Sequence, residues 1–283
     1  MDIPVFEENI EPRTLYVVAT PIGNLADITL RALYILENVD LIACEDTRRT
    51  ALLLQYYGIE KPLISFHSHS GKKRFTEIRD RLETETIALV SDAGSPCVSD
   101  PGAELVAYLI QNGFSIRPIP GPSAAISALS ASGLDTREFT FRGFLGKKGL
   151  RQRVKEILKC PETQIVYESP QRLVNLLRLI CEIDPNRDVV VAREVTKLYE
   201  EFIRKTAKEC LEYFADKEVK GEITLLIAGE QKKAVYTEEE VAKLLKERFD
   251  QGQSLRDATK ELAKELGIPK NSIYEIGLNI TRQ

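Results

Sequence analysis

Short apolar runs of four or five residues alternate along the chain with longer stretches whose apolar positions recur every three or four residues. That alternation of periods is the signature of strands joined by helices. Leu15–Ala19 is expected as a first strand, ending in Thr20-Pro-Ile-Gly-Asn24, and Asp27–Glu37 takes up helical spacing. Leu41–Cys44 follows as a second strand; Asp46 and Thr47 are placed to cap the next helix, Gly58 ends it, and Leu63–Phe66 is the third strand. Lys72–Leu82 reads as a helix, Ile87–Val90 as a fourth strand, Ala103–Gln111 as a helix with Asp100 as N-cap and Pro101 at its first position, and Ser115–Ile119 as a fifth strand. Repeated strand–helix units predict a mainly parallel sheet with helices on both faces.

Pro118-Ile-Pro-Gly-Pro122 breaks the rhythm, because proline denies both helix continuation and a central-strand hydrogen bond, so a domain boundary is placed there. A second α/β set resumes with Phe139–Phe144, a basic helix Leu150–Leu158, strand Gln164–Tyr167, helix Gln171–Glu182, strands Asp188–Ala192 and Glu201–Lys205, a short helix near Leu211, and strand Ile223–Ala228. Too few residues separate the strands near Ala192 and Lys205 for a helical crossover, which predicts a mixed second sheet. Beyond Gly229 the composition turns to helix formers, with capping-box patterns at Thr237–Glu240 and Ser254–Asp257 and a break at Gly267-Ile-Pro269. The expected organisation is an N-terminal extension (1–13), a first α/β domain (14–119), a second (120–232) and a small helix-turn-helix-like domain (233–283). That tail reads either as a nucleic-acid element or as a helical cap packed on the body or on a second subunit.

Composition narrows the picture without changing it. Of 283 residues, 43% are hydrophobic and 29% charged, ordinary for a soluble globular protein, and no apolar run approaches the roughly 20 residues of a membrane helix. The first residues lack the basic end and apolar centre of a signal peptide, so a cytoplasmic location is expected. Cys44, Cys97, Cys160, Cys181 and Cys210 include no C-x-x-C pair and are expected as buried free thiols. His67 and His69 stand one residue apart, but with no third histidine or nearby cysteine they read as polar loop residues, and no metal is expected. A net charge of −4 gives no general attraction for nucleic acid, so any such binding must come from local basic patches. The two densest are Lys72, Lys73 and Arg74, and Lys147, Lys148, Arg151 and Arg153; both follow strand ends, where phosphate contact is expected.

Four strand-end loops carry the candidate chemistry: Thr20–Asn24, Glu45–Arg49, Ser91–Pro96 and Pro120–Ala124. In a parallel sheet they share one edge, where ligands bind. No G-x-G-x-x-G follows the first strand, and Gly143-Phe-Leu-Gly-Lys-Lys148 has the wrong spacing for a phosphate-cradling loop, so dinucleotide redox chemistry and nucleotide hydrolysis fall away. Glu45 and Asp46 read as a general base or as a helix start.

Leu15-Tyr-Val-Val-Ala-Thr-Pro-Ile-Gly-Asn-Leu25, Ala43-Cys-Glu-Asp-Thr-Arg48, Ser91-Asp-Ala-Gly-Ser-Pro96, Pro120-Gly-Pro-Ser-Ala124 and Tyr167-Glu-Ser-Pro170, in this order, resemble the motifs of the tetrapyrrole-methylase superfamily. Within it they most resemble the ribosomal branch that methylates a cytidine 2′-hydroxyl of 16S ribosomal RNA. The resemblance spans roughly residues 14–230, and the helical tail is similar to that branch's C-terminal domain. It implies two α/β domains with S-adenosylmethionine in the cleft between them, a homodimer, and 16S ribosomal RNA or the small ribosomal subunit as partner. By position it assigns cofactor contacts to Pro21, Gly23, Asp92, Ala93, Gly94, Ser95, Ser123 and Ala124, and from the second domain to Phe141, Tyr167, Glu168 and the Gly221–Thr224 stretch, Thr224 included.

Methyl transfer from a sulfonium needs positioning more than a nucleophile on the protein, so the lack of an obvious nucleophile is no obstacle. The ribose hydroxyl must lose a proton, which gives Glu45 and Asp46 a role as base and Arg48 a role in steadying the developing oxyanion. Two other functions fit the same residues: a methylase of a small tetrapyrrole precursor, and a non-catalytic RNA-binding assembly protein with a vestigial pocket.

Overall fold

The computed structural model describes residues 9–67, 70–230, 237–266 and 269–281. His69 and the Gly267-Ile268 break lie outside the described residues. The chain divides into two compact units, Met1–Gly229 and Glu230–Gln283.

The first unit opens with β1 (Thr14–Val18), α1 (Leu30–Asn38), β2 (Leu41–Cys44), α2 (Thr47–Tyr56), β3 (Leu63–Ser65), α3 (Lys72–Leu82), β4 (Ile87–Val90), α4 (Ala103–Gln111) and β5 (Ser115–Ile119). Its five strands lie in the order β3-β2-β4-β1-β5, all parallel. Alternation divides the strand residues between two cores: Tyr16, Val18, Ile42, Cys44, Ala88 and Val90 pack with α1 on one face, and Leu15, Leu41, Ala43, Ile87 and Leu89 with α3 and α4 on the other. That two-sided burial is why these strands read as unbroken apolar runs. Pro118 is tolerated because β5 is an edge strand paired only with β1.

The strand order also locates the crevice. The chain leaves β1 for β2 through a helix on one face and leaves β4 for β5 through a helix on the other, although β1 and β4 are neighbours. Their connections thus leave the carboxyl edge toward opposite faces, the switch point where open α/β sheets take ligands.

The second half continues with α5 (Ala124–Ser130), β6 (Phe139–Phe144), α6 (Leu150–Ile157), β7 (Thr163–Glu168), α7 (Pro170–Ile183), β8 (Asp188–Arg193), β9 (Glu201–Thr206), α8 (Ala207–Phe214) and β10 (Ile223–Ile227). Its sheet runs β6-β7-β10-β8-β9, with β6 and β7 parallel and every other pair antiparallel, the mixed sheet expected from the short β8–β9 connection. Helices α6, α7 and α8 cover one face around Leu173, Leu177 and Ile180; α5 covers the other through Ala125, Ala128 and Leu129.

The second unit is a three-helix cluster of α9 (Glu238–Asp250), α10 (Leu255–Leu266) and α11 (Lys270–Thr281) around Val241, Leu245, Ala258, Leu262 and Ile273. The expected capping box at its start is present, with the Thr237 hydroxyl accepting from Glu240 N–H at 3.2 Å and the Glu240 carboxylate accepting from Thr237 N–H at 2.8 Å. Among the described residues no helix is long and apolar enough to cross a membrane.

Two local expectations need correction, and one helix is additional to them. The first helix begins at Leu30, after a short 3₁₀ turn over Leu25–Asp27, because the Thr29 hydroxyl accepts from Ala32 N–H at 3.1 Å and sets the cap there. Helix α4 begins at Ala103 and not at Pro101: its cap is Gly102 at φ 131°, where a Cβ would lie 2.9 Å from Leu89 Cδ2, so Asp100 is freed from capping. Helix α5 was hidden behind the Pro-Gly-Pro run.

Candidate active site

The loop after β4 is tied to the loop after β1 by a reciprocal pair of backbone bonds, Thr20 N–H to Gly94 O at 2.9 Å and Gly94 N–H to Thr20 O at 3.0 Å. Thr20 Oγ1 also donates to Ser91 O at 3.3 Å, and Ser95 Oγ to Pro122 O at 3.4 Å, which brings the Pro120–Ala124 turn into the same cluster. Gly94 sits at φ 80°, a left-handed conformation that favours glycine, and a Cβ there would lie 3.3 Å from Ile22 Cγ2. Three of the four predicted strand-end loops therefore form one floor.

The second half closes over that floor. Tyr167 at the end of β7 accepts from Ala125 N–H at 3.2 Å, and its ring meets Phe141 and Phe144 edge-on at 4.9 and 5.6 Å. Together the halves enclose a cavity of about 350 Å3 lined by Ala93, Gly94, Ser95, Ser123, Ala124, Tyr167, Glu168 and Gly221–Thr224, within the roughly 300–1,000 Å3 typical of small-ligand sites. Ile22, Val98, Asp100, Phe144, Ser169, Pro170 and Val195 also line it.

Four predicted contacts do not line the cavity. Pro21 is buried, Gly23 is exposed and lies against the Lys197 side chain, Phe141 meets the Tyr167 ring edge-on, and Asp92 accepts from Asp46 N–H at 3.1 Å while its other oxygen meets Arg49 at 3.2 Å.

Glu168 is the buried charge of this cavity. It is 2% exposed; one oxygen accepts from Ser169 N–H at 2.8 Å, and the other has no hydrogen bond. Arg172 approaches that oxygen at 3.2 Å but donates instead to Leu145 O at 2.5 Å. Burial pushes the Glu168 carboxyl above its usual range, opposed by the Ser169 bond and the Arg172 charge.

A second cavity of about 450 Å3 adjoins the first, lined by Glu45, Phe66, His67, Phe75, Ser99 and the stretch Asp100–Leu105. The predicted catalytic trio separates here. Glu45 faces this cavity, its carboxyl pushed up by burial and by the charges of Asp92 and Asp100. Asp46 lines neither cavity: it caps α2 at 2.9 Å from Arg48 N and grips the Arg48 guanidinium at 2.7 and 3.0 Å, which holds its carboxyl far below the usual range and makes it a poor base. Arg48 is correspondingly engaged with Asp46.

Of the basic patches, Lys72, Lys73, Lys147, Lys148 and Arg153 are exposed, whereas Arg74 is paired with Glu77 at 2.8 Å and Arg151 with Glu182 at 2.6 Å. All five cysteines are free thiols; Cys44 and Cys210 are buried, and Cys97, Cys160 and Cys181 are half-buried. Among the described residues no group of three His, Cys, Asp or Glu side chains is placed to hold a metal ion.

Two α/β sheets with a cavity between strand-end loops and a closing second half make a fold that the solved cobalt precorrin-4 methyltransferase shares at TM-score 0.57 and 18% identity, over 76% of this chain and 95% of that one. Residues 14–211 match the model of the tetrapyrrole (corrin/porphyrin) methylases, and the chain belongs to that family. It is 43% identical over 281 residues, 96% of each chain, to the ribosomal RNA small subunit methyltransferase I of Halalkalibacterium halodurans. It is also 48% identical over 219 residues, 77% of this chain and 99% of the relative, to the protein of the same name in Thermotoga maritima.

Proposed function

We propose that the 350 Å3 cavity binds S-adenosylmethionine and that the protein methylates small-subunit ribosomal RNA, at the 2′-hydroxyl of a cytidine. The observation that carries the reading is the pairing of an intact cavity with end-to-end likeness to relatives that methylate this RNA. When bound, the cofactor supplies an electrophilic methyl group on a cationic sulfur. The residues suit such a ligand. Gly94 offers bare backbone where a side chain would intrude, Tyr167 and Phe144 offer an aromatic wall, and the Glu168 oxygen that accepts no hydrogen bond offers buried negative charge to a cationic ligand. Ala93, Ser95, Ser123, Ala124 and Thr224 complete the enclosure, with Phe141 packed against Tyr167.

Because full-length relatives act on RNA while the likeness to a corrin enzyme extends only to the fold, the small-substrate alternative has no observation of its own. The intact cavity with its buried carboxylate counts against a vestigial pocket. Incubation with labelled S-adenosylmethionine and 30S subunits, naked 16S rRNA or a porphyrin precursor is expected to place label in the RNA; label only in the porphyrin, or nowhere, refutes the reading. The exposed lysines are the RNA contacts on this reading, with Arg153 beside them and Arg74 and Arg151 available only by giving up their carboxylates. Lys147→Glu with Lys148→Glu should reduce the slope of log affinity against log salt by about two, since each phosphate contact contributes roughly 0.7–0.9. An unchanged slope removes that patch from the interface.

The homodimer belongs to the same proposal. Leu52 and Tyr56 on α2 and Leu198 and Tyr199 after β8 are 66–88% exposed and supply apolar surface that a second copy would cover. Sedimentation equilibrium should return twice the 31.9 kDa chain mass; a monomer at micromolar concentration contradicts it.

A further inference from the structure

We propose that the 450 Å3 cavity receives the target nucleoside, unstacked from the RNA, and that Asp100 accepts the proton of its 2′-hydroxyl; the inference rests on the methyltransferase reading above. Asp100 is the one residue, among those described, that lines both cavities. A base for this reaction must face donor and acceptor at once, and Asp100 occupies that wall. Glu45 lines only the second cavity, and Asp46 is committed to its cap and to Arg48.

The backbone around Asp100 is held in an unusual shape. Cys97 and Ser99 are non-glycine residues at φ 70° and 66°, and Gly102 follows at 131°. Left-handed conformations at non-glycine residues cluster at functional sites, where surrounding structure holds them. Here the support comes from the second half: Gly143 on β6 lies so close to Ser99 that a Cβ would overlap its Oγ. This turn replaces the cap that an Asp-Pro-Gly sequence would otherwise make, and it leaves the Asp100 carboxyl half-buried between the cavities.

The rest of the second cavity suits a nucleoside and not a phosphate. Glu45, Asp100 and Glu104 line it with carboxylates, which repel the RNA backbone and accept from an exocyclic amino group such as cytosine N4. Phe66 and Phe75, ring centroids 5.9 Å apart, give apolar wall for a base taken out of its stack. The phosphates have a place outside: Lys72 and Lys73 are exposed in the first turn of α3, the helix that carries Phe75. In the transfer, an O–CH3 bond forms at the ribose oxygen, the S–CH3 bond breaks with its electron pair passing to sulfur, and the hydroxyl proton ends on Asp100.

Three measurements on the full-length protein test this. Wild type must first methylate 16S rRNA, in 30S subunits or naked; if it methylates neither, the functional reading itself fails and the inference with it. Given that activity, Asp100→Asn should lower kcat by about 10²- to 10⁴-fold, the range for a lost general base. Its RNA affinity by filter binding and its S-adenosylmethionine affinity by calorimetry should each change less than about tenfold, and Asp100→Glu should recover at least about tenfold of the rate. The chain has no tryptophan, so Phe75→Trp places its one reporter in the cavity, and its emission, taken as the difference from wild type mixed with the same 30S subunits, should change on binding in the presence of S-adenosylhomocysteine. Near-normal kcat in Asp100→Asn, loss in Glu45→Gln alone, or an unmoved Trp signal at saturating 30S overturns the assignment while leaving the methyltransferase reading intact.

Discussion

Gly94→Val is expected to weaken S-adenosylmethionine binding at least about hundredfold, from strain of roughly 1–3 kcal/mol at a left-handed position added to a lost cradle. The φ of 80° is one that a β-branched residue rarely adopts, and the new Cβ would press on Ile22 Cγ2 at 3.3 Å, a side chain that itself lines the cavity. Relief requires the loop to shift, which breaks the paired Thr20–Gly94 bonds that hold the β1 and β4 loops together. Gly94→Ala carries the same Cβ without the branch and should lose about tenfold, an intermediate value that separates graded strain from simple unfolding. Calorimetric titration with the cofactor, alongside far-UV circular dichroism, reads both. Normal binding in Gly94→Val would make the stretch an ordinary turn.

Glu168→Gln should lower cofactor affinity about ten- to hundredfold, the loss of roughly 1.5–3 kcal/mol for a hydrogen bond to a charged group. The same change should leave the free protein as stable or more so at neutral pH. Burial raises the Glu168 carboxyl in the folded state, so folding favours its protonated form. That contribution is fully present below the unfolded value, near pH 4, and is lost as pH rises through the raised folded value. The wild-type protein therefore gives up stability over that window, and the glutamine variant, which cannot ionise, does not. Urea melts between pH 4 and pH 8 should show the two curves converging at the acid end and separating toward neutrality in the variant's favour. A variant less stable than wild type at pH 7 would mean that Arg172 and Ser169 already satisfy the carboxylate and that it is a structural ion pair.

The strands were legible because burial on both faces writes them as unbroken apolar runs, as in Leu41–Cys44 and Ile87–Val90. The cavity floor was legible because Thr20–Asn24, Ser91–Pro96 and Pro120–Ala124 use residues that turns require, and a parallel sheet sends such loops to one edge. What escaped notice depended on distant chain. Asp100 looked like a helix cap; only the left-handed Cys97 and Ser99, which no residue type announces, move it between the cavities. Val195 reaches the cavity through a loop with Glu194 and Thr196 also at positive φ, equally silent in sequence. Helix α5, Ala-Ala-Ile-Ser-Ala-Leu-Ser, has too few large apolar residues to show a stripe and packs through alanines. Among the basic residues, Arg151 looked free until the fold brought Glu182 to it from 31 positions away.

The contact between Gly143 and Ser99 reaches beyond the site. One half contributes a turn whose shape depends on an absent side chain in the other, so the halves are matched at the level of single atoms. They are not interchangeable parts. A chimera that joins the first half of this chain to the second half of another methylase keeps its two sheets yet misplaces Asp100 unless the glycine travels with it. The seam between the halves, more than either pocket, sets which recombinations of this fold preserve chemistry.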